Sequence, residues 1–495
     1  MDVKSELFEP KHLYTLGALG LVVVLLVFSS ALNDPLSQVP GPWYAKWTEL
    51  VAKYYWVTAQ KSAYIHRLHL KYGPIVRVGP REVYVADPKA AQTVFRHRKE
   101  FPKAQWYLDF APFVTTIFNT PDRLVHGRFR RLLSSPLSET GLKRFCPQVE
   151  RKVDLAIKGI KNEYETRGVA DIYKWFFFMA TDVVGELSFG EGFRMLESGK
   201  MNQYITDLQS VGKLSSYRSA FPSLLQFSMR WGIPLPILST TQQAAGRIRN
   251  YSKESLKRHR AIVEKEGLDS RPTVFTKVYV AEGDESITQD EIADNAQSYI
   301  VAGSDTSSNT MTYVTWAVLR HPEVQARLVE ELKVLPEGFT YEDMRQTPLP
   351  YLENVIDETL RRYPAVPAGL PREVPEGGAE LCGYHIPAGY TASTQNYSLH
   401  RNTDAFPDPE KFDPSRWENT TQLMKDSFIP FGGGSRICIG LHLGKIETRL
   451  AVARFFKAFP NAKVSSREGM SDKDMAQKLF FLSTPQGHRC LVDLY

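Results

Sequence analysis

Apolar and polar positions divide the chain into an unbroken apolar run, a stiff interruption and a long amphipathic remainder. Residues 13–32 (LYTLGALGLVVVLLVFSSAL) are 20 positions without a charge. A helix of that length measures roughly 30 Å, the thickness of a bilayer's hydrocarbon core, so the run predicts a transmembrane anchor behind a short lumenal tail over 1–12. Pro35 and then Pro40-Gly41-Pro42-Trp43 follow. Prolines cannot continue a helix, which makes 33–45 a hinge. Residues 74–85 (PIVRVGPREVYV) alternate about a Gly-Pro turn, the pattern of a β-hairpin. Helical periodicity dominates 123–334, with one long helix over about 292–319, and returns over 351–362 and 441–458. Residues 369–392, punctuated by Gly383, Pro387 and Gly389, read as strands and turns. No repeat or Pro/Gly/Ser-rich linker interrupts 46–495. The pattern therefore predicts a mainly α domain with a small β region, preceded by one membrane helix.

Composition narrows the class without naming a function. With 43% hydrophobic and 23% charged residues in 495, the chain is neither disordered, fibrous nor polytopic. The four cysteines, at 146, 382, 438 and 490, are too scattered for a disulfide scaffold or a structural zinc site. A net charge of +6 does not call for nucleic acid. Its distribution says more. Two bases and three acids precede the apolar run, leaving 59 bases against 52 acids after it. The start thus lacks the basic region of a cleaved signal, while Lys46, Lys53, Lys61, Arg67 and Lys71 place the large part in the cytosol.

Candidate chemistry gathers around Cys438, in residues 428–444 (FIPFGGGSRICIGLHLG). Gly432 to Gly434 let a backbone approach a flat ligand closely. An apolar helical run starts just after the cysteine, and a helix N-terminus favours the thiolate. The F-x-x-G-x-R-x-C-x-G pattern closely resembles the haem-binding loop of the cytochromes P-450. That resemblance implies haem b with Cys438 as its proximal thiolate ligand, Phe431 packed by the sulfur and Arg436 paired with a propionate.

Further matches extend the resemblance. Glu358-Thr359-Leu360-Arg361 on a helix, with Arg416 in Phe412-Asp413-Pro414-Ser415-Arg416-Trp417, implies a buried Glu-Arg-Arg network that supports the cysteine loop. Locally, Glu358 and Arg361 read as an i,i+3 surface pair. Ala302-Gly303-Ser304-Asp305-Thr306 lies in the long helix, where an interior glycine costs about 1 kcal/mol and needs a reason. Hydroxyls at 304, 306, 307, 308 and 310 can bond back to carbonyls and bend it. By resemblance, this helix crosses the distal haem face. Ala302 and Gly303 would leave space for dioxygen, and Asp305 with Thr306 would deliver protons. In the 123–131 segment (RLVHGRFRR), His126 and Arg130 share one helix face and Arg128 and Arg131 another. The resemblance assigns His126 and Arg130 to propionates, although many relatives carry tryptophan at the position of His126; Arg372 matches another propionate arginine.

The resemblance as a whole implies a triangular helical catalytic domain over 46–495, anchored in the endoplasmic reticulum membrane and similar to fungal microsomal members. The activity implied is a monooxygenase fed by NADPH through a separate reductase, with cytochrome b5 as an optional donor. Arg128, Arg131, Lys445 and Arg449 are candidates for the reductase-docking patch. The bilayer, an apolar small molecule and no nucleic acid complete the expected partners. Pocket segments are expected at 101–114, before Trp231, at 365–370 and at 480–482. Two alternatives stand beside this reading: a haem-thiolate isomerase or dehydratase working without dioxygen, and an inactive haem-binding membrane protein.

Overall fold

The computed structural model describes residues 34–95, 101–112, 114–231, 236–267, 272–276, 278 and 287–495, with isolated positions 14, 18, 21 and 22. Eight helices bear on the site: α1 (Trp106–Phe110), α2 (Arg123–Ser134), α3 (Cys146–Arg167), α4 (Ile172–Phe189), α5 (Gln203–Ala220), α6 (Gln289–Leu319), α7 (Pro350–Arg362) and α8 (Leu441–Ala458). Their starts follow from local chemistry. The Asp122 side chain accepts the Leu124 and Val125 amides at the head of α2, and Asp171 does the same for Tyr173 and Lys174 at α4. Thr288 and Glu291 form a reciprocal capping box at α6. Gly168 and Gly190, at φ 75° and 74°, end α3 and α4 in the left-handed region.

The core lies where α3, α4, α6 and α8 pack together. Phe129, Phe176, Tyr313, Phe455 and Phe456 are fully buried there. A Cβ on Gly159 of α3 would stand 2.3 Å from the Trp175 ring, so only glycine permits that approach to α4.

Of the short strands among the described residues, six bear on the site: β1 (Ile75–Gly79), β2 (Glu82–Val85), β3 (Arg372–Glu373), β4 (Thr391–Thr394), β5 (Gln477–Leu479) and β6 (Ser483–Pro485). The 74–85 alternation folds as the antiparallel hairpin β1–β2, with Val76 opposite Tyr84. Strand β2 runs parallel to β4, which pairs antiparallel with β3, giving the order β1-β2-β4-β3. A bridge from Lys103 to Arg372 fastens the segment before α1 to this edge. The β5–β6 hairpin pairs Leu479 with Ser483 and presents residues 480–482 at its turn.

The fold is mainly helical with a small β region, but among the described residues the expected transmembrane helix is not found. A span needs one continuous apolar helix of about 20 residues. No helix among the described residues is long and apolar enough to cross a membrane. Of 13–32, only Tyr14, Ala18, Leu21 and Val22 are described; the rest lies outside the described residues, as does the tail over 1–12. This finding overturns the anchor, the endoplasmic-reticulum placement and the bilayer partner, which all rested on that run. The Pro-Gly segment packs against the β1–β2 hairpin. Asp34 ion-pairs with buried Arg77, the Arg77 amide donates to the Pro40 carbonyl at 2.7 Å, and Leu36 is buried.

Candidate functional site

The cysteine loop is built from backbone turns and tied down by two arginines. Gly432 and Gly434 sit at φ 73° and 66°, conformations that residues with a Cβ rarely adopt. The Cys438 amide donates to the Phe431 carbonyl at 2.9 Å. Arg130 Nη1 donates to the Ile437 carbonyl at 2.7 Å. Arg436 reaches the Thr120 and Pro121 carbonyls at 2.8 and 3.1 Å, joining the loop to the segment that leads into α2. Helix α8 begins at Leu441, so Cys438 precedes it by three residues, and the Gly440 amide donates to the sulfur. Burial pushes the free thiol up, while that amide and the Arg130 charge pull it back.

Cys438 is desolvated by the surrounding protein, yet its own surface is exposed. The two observations agree when the sulfur faces an internal hollow rather than bulk water. Helix α6 shows the same signature. Val301 is 41% exposed in a helix whose Ile300 and Ser304 are only 1% and 4% exposed. Ala302 is exposed as well, and Thr306 is half-buried one turn on. Thr306 Oγ1 donates to the Ala302 carbonyl at 2.7 Å, Thr310 to Thr306 at 2.8 Å and Thr312 to Ser308 at 2.7 Å. Asp305 is desolvated and its carboxyl is pushed up to about 6, so its protonated form is accessible near neutrality. Gly303 does not face the hollow in the same way: a Cβ there would stand 3.0 Å from Val184 Cγ2, which makes it a close-packing glycine between α6 and α4.

A buried basic cluster adjoins the hollow. His126, Lys103 and Arg372 are 6%, 7% and 3% exposed. The charges that act on His126 come from Arg436, Lys103, Arg130 and Arg372, and together with burial they hold it down to about 3, as a neutral ring. Arg372 Nη1 donates to the Tyr107 hydroxyl at 3.0 Å, and Lys103 Nζ donates to the Phe118 carbonyl. Like charges brought together out of water call for an anionic guest. A haem meets that requirement: two propionates suit the basic cluster, and one soft thiolate donor suits iron.

Glu358 and Arg361 are fully buried, unlike the surface pair of a local reading. Arg361 clasps the carboxylate twice at 2.8 Å, and Arg416 Nε reaches it at 3.1 Å. The sequence reading missed two further donors, Trp417 Nε1 at 3.0 Å and the Asp413 amide at 2.8 Å. Arg361 also holds the carbonyls of His400, Pro409 and Lys411 at 2.7–3.0 Å, lashing the chain before the cysteine loop to α7. Glu447 was missed as well. It is buried in α8, takes a hydrogen bond from Ser307 of α6 and is pushed up to about 8 by desolvation. Its place in an apolar helical stretch was the available signal.

An aromatic cluster joins α1 to the β5–β6 turn. Trp106 and Phe110 stack at 4.9 Å, and Phe481 packs 5.6, 5.5 and 5.5 Å from Trp106, Phe110 and Phe118. These rings come from two distant segments of the chain, 106–118 and 480–482. A surface groove of about 650 Å³, lined by Arg327, Tyr351 and Trp417 among others, contains none of the candidate catalytic residues.

Comparisons with known proteins bear on the family. Residues 40–491 match the family model described as Cytochrome P450. The chain is 44% identical over 477 residues to cytochrome P450 monooxygenase tazI of Aspergillus terreus, covering 96% of this chain and 97% of the relative. It is 40% identical to cytochrome P450 monooxygenase orf2 of Aspergillus niger, covering 96% of each. An averantin hydroxylase of Dothistroma septosporum is 31% identical, over 90% of this chain and 84% of that protein. The solved structure of retinoic acid bound cyanobacterial CYP120A1 shares the fold with a TM-score of 0.70 at 21% identity, covering 87% of this chain and 93% of that one. The chain therefore belongs to the cytochrome P450 family, as a fungal haem-thiolate monooxygenase that uses dioxygen and NADPH-derived electrons delivered by a reductase.

Proposed function

We propose that Cys438 is the axial thiolate of the haem, that Asp305 and Thr306 handle protons on its distal side, and that the substrate is an apolar small molecule of fungal secondary metabolism. Supporting this most directly are the exposed thiol of Cys438, desolvated by the protein around it, and the accessible Val301, Ala302 and Thr306 of α6, the helix whose Tyr299 stands near Cys438. When bound, haem held by a thiolate supplies the redox chemistry of this family, the thiolate pushing electron density toward O–O cleavage. Each remaining task falls to the chain. Phe431 and the Gly432–Gly434 turn shape the pocket around the sulfur, while the Gly440 amide steadies its negative charge. His126, Arg130, Arg372 and Arg436 are placed to receive the propionates, with Lys103 beside them. Asp305, its carboxyl pushed up to about 6, can take up and release a proton close to neutral pH, and Thr306 Oγ1 can pass one on after releasing the Ala302 carbonyl. Glu358, Arg361 and Arg416 position the loop and take no part in the reaction.

For the substrate, support comes from the aromatic cluster and from the relative named for hydroxylating averantin. Residues 46–495 would act as one catalytic unit, because the elements around the hollow span Lys103 to Phe481. Arg131 and Lys445 are exposed on the cysteine side and would steer an acidic reductase, with cytochrome b5 as a second donor. Arg128 and Arg449 are less available, being ion-paired with Glu291 and Glu353. The deciding experiment is Cys438→Ser. The purified variant should lose the red-shifted Soret band of the reduced carbon monoxide complex; an unchanged band would end the assignment.

A further inference from the structure

Residues 114–122 form neither helix nor strand, yet Thr116, Asn119 and Thr120 among them are buried. Irregular backbone usually runs over a surface, because its amides and carbonyls need partners. Here the partners come from three places. Asn119 closes the segment on itself: Oδ1 accepts the Thr116 amide at 2.8 Å, and Nδ2 donates to the Ala111 and Val114 carbonyls at 2.9 and 2.8 Å. From the basic cluster, Lys103 donates to the Phe118 carbonyl, and Arg436 holds the carbonyls of Thr120 and Pro121. From α6 comes Asn295, in the second turn of that helix.

Asparagine is a poor helix former, so one inside α6 needs a reason. Asn295 is fully buried, and both ends of its side chain are committed. Its Oδ1 accepts the Ile117 amide at 2.9 Å, and its Nδ2 donates to the Glu291 carbonyl, one turn back, at 2.8 Å. An amide supplies that acceptor and that donor together without a charge. Glu291 ties the same turn of α6 to α2. Its Oε1 accepts from Arg128 at 2.5 Å, while its Oε2 accepts the Thr288 amide at 2.9 Å. One stretch of α6 thus holds both α2, which carries His126 and Arg130, and the chain that leads into it.

Resting on the reading that Arg436 receives a haem propionate, we infer that Asn295 is a positioning residue for the cofactor, acting through residues 114–121. By fixing the Ile117 amide it fixes the Thr120 and Pro121 carbonyls that orient Arg436, and so keeps the basic cluster set for the haem. Haem retention then depends on one amide of α6, the helix that also carries Asp305 and Thr306.

The test follows haem loss from the ferric holoenzyme to excess apomyoglobin, with hydrogen exchange of the 114–121 peptide measured alongside. Asn295→Ser can bond back to the Glu291 carbonyl but is too short to reach the Ile117 amide. It should speed haem loss about 10-fold, the scale of a buried amide left without its partner. Exchange should rise at 114–121 and keep the parent's rate in α3. Asn295→Asp, which still offers the Ile117 amide an acceptor, should lose haem more slowly than Asn295→Ser. Arg436→Met should speed haem loss by itself, and adding Asn295→Ser to it should change the rate by less than about 2-fold, since both act on one path. Parent-like haem loss in Asn295→Ser, equal loss in the Ser and Asp variants, additive effects with Arg436→Met, or faster exchange throughout the molecule each overturns the inference. If Arg436→Met alone retains haem as the parent does, the propionate reading of Arg436 fails instead, and the inference falls with it.

Discussion

Thr306 illustrates how much rests on one hydroxyl. Its Oγ1 is already engaged with the Ala302 carbonyl at 2.7 Å, so it can exchange that partner for another without moving the helix. Thr306→Ala should keep the haem and the thiolate spectrum but divert reducing equivalents to peroxide. Product per NADPH should fall by up to about 10²-fold, the lower range of general acid catalysis; full coupling would remove Thr306 from the relay. Glu358 is a different kind of residue, fully buried and surrounded by donors. Glu358→Ala would strand the Arg361 and Arg416 charges and should cost about 3–5 kcal/mol, read as a lower unfolding temperature with loss of haem. Sequence spacing placed Glu358 and Arg361 on one face, but only the fold shows that this face is dry and that Trp417 joins it. Gly303 teaches the reverse lesson. Its expense inside a helix was legible, but its reason, Val184 of α4 standing where a Cβ would go, was not.

Among the elements, local pattern was a good guide wherever periodicity was strong. The 74–85 hairpin, the helix over 441–458 and the long helix now bounded as Gln289–Leu319 all follow from it. The contact between α6 and α8 was not legible, since Ser307 and Glu447 lie 140 residues apart and nothing local pairs them. Glu447 makes this contact testable. Its carboxyl is held protonated up to about pH 8 in the fold, against an ordinary value of 4.5 when the chain is open. As pH rises from 4.5 to 8 the unfolded chain releases this proton while the folded chain keeps it, so stability drains away over that window and levels off above it. Glu447→Gln should therefore be neutral near pH 4.5 and stabilising by a few kcal/mol near pH 8, at about 1.4 kcal/mol per unit. Thermal unfolding of the holoenzyme at the two pH values measures it; a variant with the parent's pH dependence would contradict the buried acid.

At the scale of the whole molecule, charge organises encounter as well as cofactor binding. Reversing Arg131 and Lys445 to glutamate should slow reductase-driven reduction by about 10-fold at low salt, with a smaller effect as salt screens the field. Peroxide-driven turnover, which needs no reductase, should be spared; an equal loss in both would exclude a docking role. By itself the sequence determined the helix and strand periods, the Cys438 loop and its family, and the acid–hydroxyl pair Asp305-Thr306, because these are properties of neighbours within about ten positions. Tertiary structure alone decided which charges are dry, why Gly303 is a glycine, and that His126 joins four cations around one hollow. It also decided that the Pro-Gly segment packs on Arg77 and that the rings of 106–118 meet Phe481. The reason is physical: burial, desolvation and ring contact depend on groups that the chain brings together from hundreds of residues away, and no local pattern records who those neighbours will be.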